Sequence, residues 1–290
     1  MARTQYAGIG VLALLSVLPA EGQERSVLRE VGRTTERELN IVLTSTFGSV
    51  AISRGEPEKM LVIEADRAAR ESPSAADYTI RNRTGYADLS LGEEGTDREE
   101  KRRSINLGEL HRGHWAVLVS DAVPVSFDVE LGVGVGDFNL TGLQVKDFTL
   151  STGASDVTLA FDEPNATRID NMTIESGVSK FDGRKLGNAN FRHLRFKGGV
   201  GAYTLDFAGA TTTEVDVDVE VGLGVMTIFL PQEVGARVSY DKSWMSRIDC
   251  ADDFHESGAN EYLSENYASA ASKMNIRIDA GLGSVKIRRN

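Results

Sequence analysis

The stretch Gly222-Leu-Gly-Val-Met-Thr-Ile228 decides the fold, because the chain repeats its pattern eight times. The pattern is a small residue, a variable residue, Gly, Ala or Ser, a variable residue, an apolar residue, a variable residue and an apolar residue. Its copies begin at Thr46, Gly85, Gly134, Gly153, Gly177, Gly199, Gly222 and Gly281. The four central intervals are 19, 24, 22 and 23 residues. Such a period indicates a repeat architecture in which each unit stacks on the next.

Each copy alternates with period two, which is typical of a half-buried strand. A second apolar pair, five and three residues before the phrase, predicts another strand ahead of it, as at Leu194 and Phe196. The copy at Gly85 departs from this frame, with Tyr78 and Ile80 instead. The small third residue suits a tight corner between the two strands. We therefore expect coils of strand, corner, strand and return segment.

Stacked coils of about 22 residues predict an all-β chain folded as a β-solenoid, since one coil cannot bury its own apolar face. The structural alternative is a β-sandwich built of hairpins. Hairpins favour two-residue Asn-Gly or Asp-Gly turns, and only Asp182-Gly183 fits. The solenoid is the favoured prediction.

The chain of 290 residues divides into three parts. Residues 1–22 have the short apolar core and small residues of a signal peptide, with cleavage after Ala20 or Gly22. Residues 23–38 are an N-terminal lead-in, and residues 39–290 form one solenoid domain with an irregular insertion at 241–273. We expect export to the periplasm or the exterior, with no membrane span after cleavage.

Charge and cysteine content exclude several classes. The net charge of −11 argues against nucleic acid or anionic membrane as a partner, because both require a basic face. Cys250 is the only cysteine, so no intramolecular disulfide or multi-thiolate metal site can form. The oligomeric state stays open.

The C-terminal third carries a family resemblance. Gly222 to Pro231, a polar loop, Ser264-Glu-Asn-Tyr267 and Lys273 to Ile287 resemble the bacterial toast-rack domain. That domain is related to the C-terminal region of LiaF-type envelope-stress regulators and to adhesin-like β-solenoids. The resemblance is best from Phe127 to Ile287. It implies a right-handed single-stranded β-helix in the bacterial envelope and brings no catalytic set.

Several residue groups invite a chemical hypothesis, and each has a plainer explanation. His111 and His114 lack the further ligands that zinc needs. The row Asp216, Asp218 and Glu220 offers oxygen ligands to Ca²⁺, but it is also the solvated side of a strand. A polysaccharide lyase would need a groove lined by charged residues, for which the candidates are Asp162, Arg184, Lys185, Arg192, Arg195 and Lys197.

The leading hypothesis is a non-enzymatic envelope scaffold for adhesion or for binding an envelope glycan or envelope protein. We expect no catalytic residues, cofactor or metal. Trp244, Tyr262 and Tyr267 are the candidate contact surface, because aromatic residues in an irregular loop commonly bind partners. The alternatives are a secreted carbohydrate-active enzyme and an accessory module of an envelope-stress response.

Overall fold

The computed structural model describes residues 25–72, 74–92, 113–211, 214–241 and 246–290. The predicted signal peptide lies outside these residues. The helical elements are α1 (Arg67–Glu71) and a 3-10 turn (Leu186–Ala189). The strands are β1 (Ser26–Gly32), β2 (Glu38–Arg54), β3 (Lys59–Ala65), β4 (Ser74–Arg81), β5 (Thr84–Leu91), β6 (His114–Val119), β7 (Pro124–Asn139), β8 (Gln144–Ala160), β9 (Ile169–Arg184), β10 (Phe191–Asp206), β11 (Val215–Leu230), β12 (Gly235–Asp241), β13 (Ser246–Asp249), β14 (Phe254–Gly258), β15 (Glu261–Ser264) and β16 (Lys273–Arg289).

Seven long strands stack in parallel and confirm the solenoid. Their spatial order is β2, β7, β8, β9, β10, β11 and β16. Phe127 pairs with Phe148, Phe148 with Met172, Met172 with Leu194 and Leu194 with Val217. The successive coils therefore contain 21, 24, 22 and 23 residues, as the repeat predicts. Two neighbouring parallel strands need a connection that runs from the end of the first strand back to the start of the second. A sandwich built of hairpins has antiparallel neighbours instead.

The two predicted strands of each coil are one continuous strand of 16 or 17 residues, bent in its middle. Pairing between β10 and β11 skips only Gly199 and Gly222, which lie at the bend. The corner thus interrupts the hydrogen-bonded ladder at a single residue. The sequence predicts two strands because the side-chain alternation changes phase there.

Two copies of the phrase are placed differently from the sequence prediction. Gly134 pairs with Ser155, so the phrase in β7 begins at Gly132, two residues earlier than predicted. The run Gly132-Val-Gly-Val-Gly136 fits both frames, because a shift of two residues keeps every side chain on its face. The copy at Gly85 lies on β5, whose Gly85 pairs with Leu39 ahead of the corner in β2.

The core lies inside the bent wall, where inward side chains of successive coils touch. Leu194, Phe196 and Leu205 have no exposed surface. The Phe196 ring meets Phe181 of the preceding coil at 5.3 Å between centroids and Tyr203 of its own coil at 5.2 Å. Burial of such side chains stabilises each by about 1.5–3 kcal/mol. A single column of apolar contacts therefore runs along the molecule.

Short strands cover both ends of the parallel stack. At the N-terminal end β2 is flanked by β5 and β4 before its bend, and by β6, β3 and β1 after it. At the C-terminal end the edge of β16 that faces away from β11 is covered by β12, β15 and β14 before its bend and by β13 after it. β12 pairs with β16 in parallel and so continues the stack ahead of the bend. Covered ends leave fewer open strand edges for other chains to pair with.

Candidate binding surface

The bend of six of the seven long strands is built on glycine, and β2 has Thr46 at this position. A Cβ at Gly199 would lie 2.7 Å from the carbonyl oxygen of Gly177 in the preceding coil. The same clash with the coil before recurs along what we call the glycine column: Gly132, Gly153, Gly177, Gly199, Gly222 and Gly281. Because the coils stack at about 4.8 Å, no larger residue fits without moving the backbone. The first phrase position is therefore glycine for close approach of two backbones.

A line of apolar side chains stands immediately beside the glycine column and points outward. These residues occupy the second phrase position of each coil and pair in register from coil to coil. We call them the apolar ridge: Phe47, Val133, Ala154, Val178, Val200, Leu223 and Leu282. Seven coils at about 4.8 Å give the ridge a length of roughly 29 Å.

The ridge is exposed over most of its length. The exposed fraction is 64% for Val178, 45% for Val200, 46% for Leu223 and 40% for Leu282. Scattered apolar residues on a surface are ordinary, but contiguous ones mark interaction sites. The in-register stacking makes this ridge contiguous by construction. It is the principal candidate binding surface among the described residues.

A groove lies along the glycine column, with a volume of about 440 Å³. Its floor includes Gly132, Gly153, Gly177 and Gly199, and its far wall carries Glu130, Glu175 and Lys197. These carboxylates belong to an outward row in the same register, in which Lys197 stands between Glu175 and Glu220. We call the acidic members of the row the carboxylate row: Glu130, Glu175, Glu220 and Asp279. The surface therefore combines an apolar ridge, a backbone-lined groove and an acidic wall.

The eightfold repeat did not reveal this surface, because the second phrase position was taken as variable. In the frame that the structure defines, that position is Phe, Val, Ala, Val, Val, Leu and Leu. An outward position on a half-buried strand is normally polar. Apolar character repeated at such a position was the signal available in the sequence.

The predicted aromatic contact residues are not brought together by the described structure. Trp244 lies outside the described residues. Tyr262 stacks on Tyr240 with centroids 5.7 Å apart, and burial together with a hydrogen bond to Tyr240 raises its pKa to about 12. Tyr267 lies beneath Arg237 at 4.9 Å and donates a hydrogen bond to Asn275 at 3.1 Å. Both tyrosines are half-buried and packed within the C-terminal end, and the contact role stays a prediction.

The row Asp216, Asp218 and Glu220 projects from β11 between basic and amide groups of its neighbours. Asp218 is 2.9 Å from Arg277 and 3.2 Å from His193. Glu220 is 3.4 Å from Lys197, and Asp216 accepts a hydrogen bond from Asn275 at 3.2 Å. These partners compete with a cation for the same oxygens. Across the described ranges, no group of three or more His, Cys, Asp or Glu is placed to hold a metal ion.

The lyase candidates are spread over separate ion pairs. Lys185 contacts Asp162 at 2.8 Å and Arg184 contacts Asp182 at 2.8 Å, both at the return side of the coil. Arg192 contacts Asp170 at 3.5 Å, and Lys197 contacts Glu220. His111 lies outside the described residues, and His114 is bonded to Arg25 at 2.7 Å. These contacts belong to the solvated faces of the wall.

The fold and this surface define a class: a parallel β-solenoid with a glycine-built corner. A family model described as the N-terminal domain of toast_rack (DUF2154) matches residues 20–183. The match covers more than half of the chain, which therefore belongs to the toast-rack family. It confirms the resemblance seen in the sequence, although that resemblance was strongest further along, from Phe127 to Ile287.

Two solved structures are similar to this chain at low sequence identity. One, from Clostridium sporogenes, is described as a "putative cell adhesion protein"; it is 17% identical with a TM-score of 0.46, covering 92% of this chain and 99% of that one. The other, a "putative adhesin" from Parabacteroides merdae, is 9% identical with a TM-score of 0.27, covering 92% and 97%. No curated protein matches the chain. Among the described residues, no helix is long and apolar enough to cross a membrane.

Proposed function

We propose that this chain is a non-enzymatic binding scaffold of the bacterial envelope, which holds another envelope protein along the apolar ridge. The observation that carries the proposal is the ridge itself, an outward line of apolar side chains repeated in seven stacked coils. Keeping such residues in water is costly unless a partner covers them. Adhesion and recognition within the envelope both require a surface of this kind.

The rigidity of the surface supports the proposal. From Val133 onward, each ridge residue directly follows a glycine whose backbone is packed against the coil before, and the strand ladder resumes at the ridge residue. A surface fixed in this way loses little conformational freedom when a partner binds. The spacing of the ridge side chains is therefore set before the partner arrives.

The distribution of charge supports a binding role over carbohydrate chemistry. Glycoside-cleaving sites place two carboxyl groups across a cleft from one another, whereas the Asp162 and Asp182 carboxylates each face a basic neighbour at 2.8 Å. The residues of the apolar ridge themselves include no titratable group. The accessory role in an envelope-stress response is a special case of protein binding and uses the same surface.

The test is cosedimentation of the full chain with a cell-envelope fraction. A variant carrying Val178→Ser, Val200→Ser and Leu223→Ser should lower the bound fraction at least about tenfold, because central interface residues carry most of the binding free energy. Treating the envelope fraction with a protease should also abolish binding, and treating it with a glycan hydrolase should not.

The matched control is Val42→Ser. Val42 is 45% exposed and lies on a strand face away from the ridge, so its replacement should leave binding unchanged. Undiminished binding of the triple variant would overturn the ridge as the contact surface. Loss of binding after glycan hydrolysis would replace the protein partner with a glycan.

A further inference from the structure

The acidic wall of the groove is only partly neutralised by the chain itself. Glu220 is paired with Lys197 at 3.4 Å. Glu130, Glu175 and Asp279 form no ion pair within 4.0 Å with any described residue, although Lys197 is the neighbour of Glu175 in the strand register. One lysine therefore stands among four carboxylates, and the wall keeps an excess of negative charge. They border a surface that is otherwise apolar, and a covering partner would remove them from water. Burying an uncompensated carboxylate is costly, so the partner must bring positive charge.

The spacing of these carboxylates constrains where the positive charge lies. Glu130 pairs with Ser151 and Ser151 with Glu175, so the two carboxylates stand two coils apart, about 9.6 Å. Two turns of an α-helix advance about 10.8 Å. Basic residues seven apart on a helix lying along the groove would therefore meet successive carboxylates.

We infer that the partner contacts this surface with a basic amphipathic segment, which lays aliphatic side chains on the apolar ridge and Lys or Arg side chains against Glu130 and Glu175. The inference rests on the proposed function and names its partner class. The glycine column supplies the room, because the groove floor is backbone and has no Cβ to obstruct an approaching side chain. An amphipathic helix in an apolar groove is a recurrent recognition mode.

The same charges disfavour the other occupants. Two copies of this chain packed ridge to ridge would bring one carboxylate row near the other, which like charges oppose. An anionic lipid surface is repelled by the same row. Sugar rings stack best on aromatic faces, and Phe47 is the one aromatic residue of the ridge. A polypeptide that is both cationic and amphipathic is the occupant that complements the carboxylate row and also covers the apolar ridge.

The experiment measures binding of labelled peptides of about three heptads to the full chain by fluorescence anisotropy. The first peptide places Leu on one helical face and Lys at every seventh flanking position. The second replaces each Lys by Glu, and the third replaces each Leu by Ser. We expect the first to bind at least about tenfold more tightly than either of the others.

The variants separate a specific site from general attraction to an acidic protein. Glu130→Gln with Glu175→Gln should weaken the first peptide about tenfold. The control pair, Glu163→Gln with Glu233→Gln, removes the same charge from exposed return segments away from the groove. It should change affinity less than twofold. Equal weakening by both pairs would overturn the inference, as would a ridge-dependent dimer of the chain seen in sedimentation.

Failure of the inference is distinguishable from failure of the proposed function. If the serine-substituted ridge loses envelope binding while the Glu130→Gln, Glu175→Gln pair keeps it, the scaffold role stands and the basic partner is wrong. If neither variant loses envelope binding, both fall. Circular dichroism of each variant checks that the fold is retained.

Discussion

The two bends of each coil are made in opposite ways. At the ridge bend the chain turns at a glycine, and the backbones of successive coils are in contact. A Cβ at Gly199 would lie only 2.7 Å from the carbonyl oxygen of Gly177. On the return side, buried amide side chains hold the turns: Asn165 donates to the carbonyl of Val145 at 2.7 Å and accepts from its N–H at 2.9 Å. The ridge bend requires a residue without a side chain, whereas the return bend is held by hydrogen bonds from the Asn165 side chain.

The difference explains which bend repeats in the sequence. Contact with the backbone of the coil before imposes the same demand on every coil from β7 onward, so glycine recurs in each of those six coils, whereas β2 has Thr46 at this position. Satisfying the backbone groups of a return segment can be done by any suitable donor and acceptor. Asn188, which donates to Phe161 at 2.9 Å and accepts from Ala210 at 2.9 Å, does this for one coil only. Repetition therefore marks the bend where geometry leaves one solution.

The largest expected effect is at the ridge bend. Gly224 has a φ of +150°, and a Cβ there would overlap the carbonyl oxygen of Gly201. Gly224→Ala should cost about 3 kcal/mol or more of unfolding free energy, measured by denaturant titration. Ala154→Val is the control, because it adds bulk at the same bend on the outward side. The next coil has a valine, Val178, at the equivalent position. It should change stability by under about 0.5 kcal/mol, and a similar loss in both would contradict the backbone-contact explanation.

A smaller loss is expected at the return bend. Asn165→Ala removes a buried amide, which also donates to Thr167 at 2.7 Å and Ala189 at 3.1 Å. Leaving these backbone groups unsatisfied should cost about 2–3 kcal/mol in thermal or denaturant unfolding. Asn139, which makes one exposed bond to Thr141 at 3.1 Å, provides the comparison. Asn139→Ala should cost under about 1 kcal/mol; equal losses would mean that burial of the amide is unimportant.

Near the N-terminal end, a buried carboxylate takes the part that the buried amide of Asn165 takes on the return side. Glu36 is 3% exposed, and its carboxylate accepts from Thr34 N–H at 2.7 Å and the Tyr78 hydroxyl at 2.8 Å. Burial alone would raise the pKa of Glu36, but hydrogen bonds from the Glu36 and Thr34 N–H groups and from the Tyr78 and Thr34 hydroxyls together lower it. These hydrogen bonds favour the charged form of the Glu36 carboxylate in the folded state, and they therefore stabilise the fold when Glu36 is ionised.

Since the folded-state pKa of Glu36 lies below its ordinary value of 4.5, its contribution is complete above that pH and is lost as pH falls through the folded pKa. Glu36→Gln should lower stability by about 1 kcal/mol at pH 7, and the gap to the unaltered chain should close below pH 4.5. Urea titrations from pH 7 to pH 3 measure this. Glu38→Gln, at an exposed pair with Lys146, should keep the acid sensitivity of the unaltered chain; a gap that stays constant in Glu36→Gln would refute the linkage.

The smallest effect on stability is expected on the apolar ridge. Val178→Ser, Val200→Ser and Leu223→Ser remove exposed side chains, so each should alter unfolding free energy by under about 0.5 kcal/mol. The melting temperature of the triple variant checks this alongside its loss of envelope binding. A loss of several kcal/mol would show that the ridge contributes to the core and would weaken its assignment as a binding surface.

The candidate surface was only partly readable from the sequence. The glycine column is visible as a repeat, because its cause acts in every coil. The apolar ridge was not recognised because the second phrase position was taken as variable, although its residues are apolar in the predicted frame as well. The structure replaces Val135 by Val133 at that position and places Tyr86 on β5. Aromatic residues drew attention to Tyr262 instead, whose ring packs on Tyr240. Exposure depends on which face the strand turns outward after the bend, and the repeat pattern alone does not record that turn.

By itself the sequence determined the class of fold, the length of the coil and the position of the glycine-built bend. These follow from local alternation and from the steric limit at Gly199 and its equivalents, which act within two neighbouring coils. The tertiary structure decided the register of β7, the continuity of each bent strand and the union of ridge, groove and carboxylates on one surface. Those features depend on which residues lie side by side in successive coils, and stacking across segments of 21 to 86 residues sets that alignment.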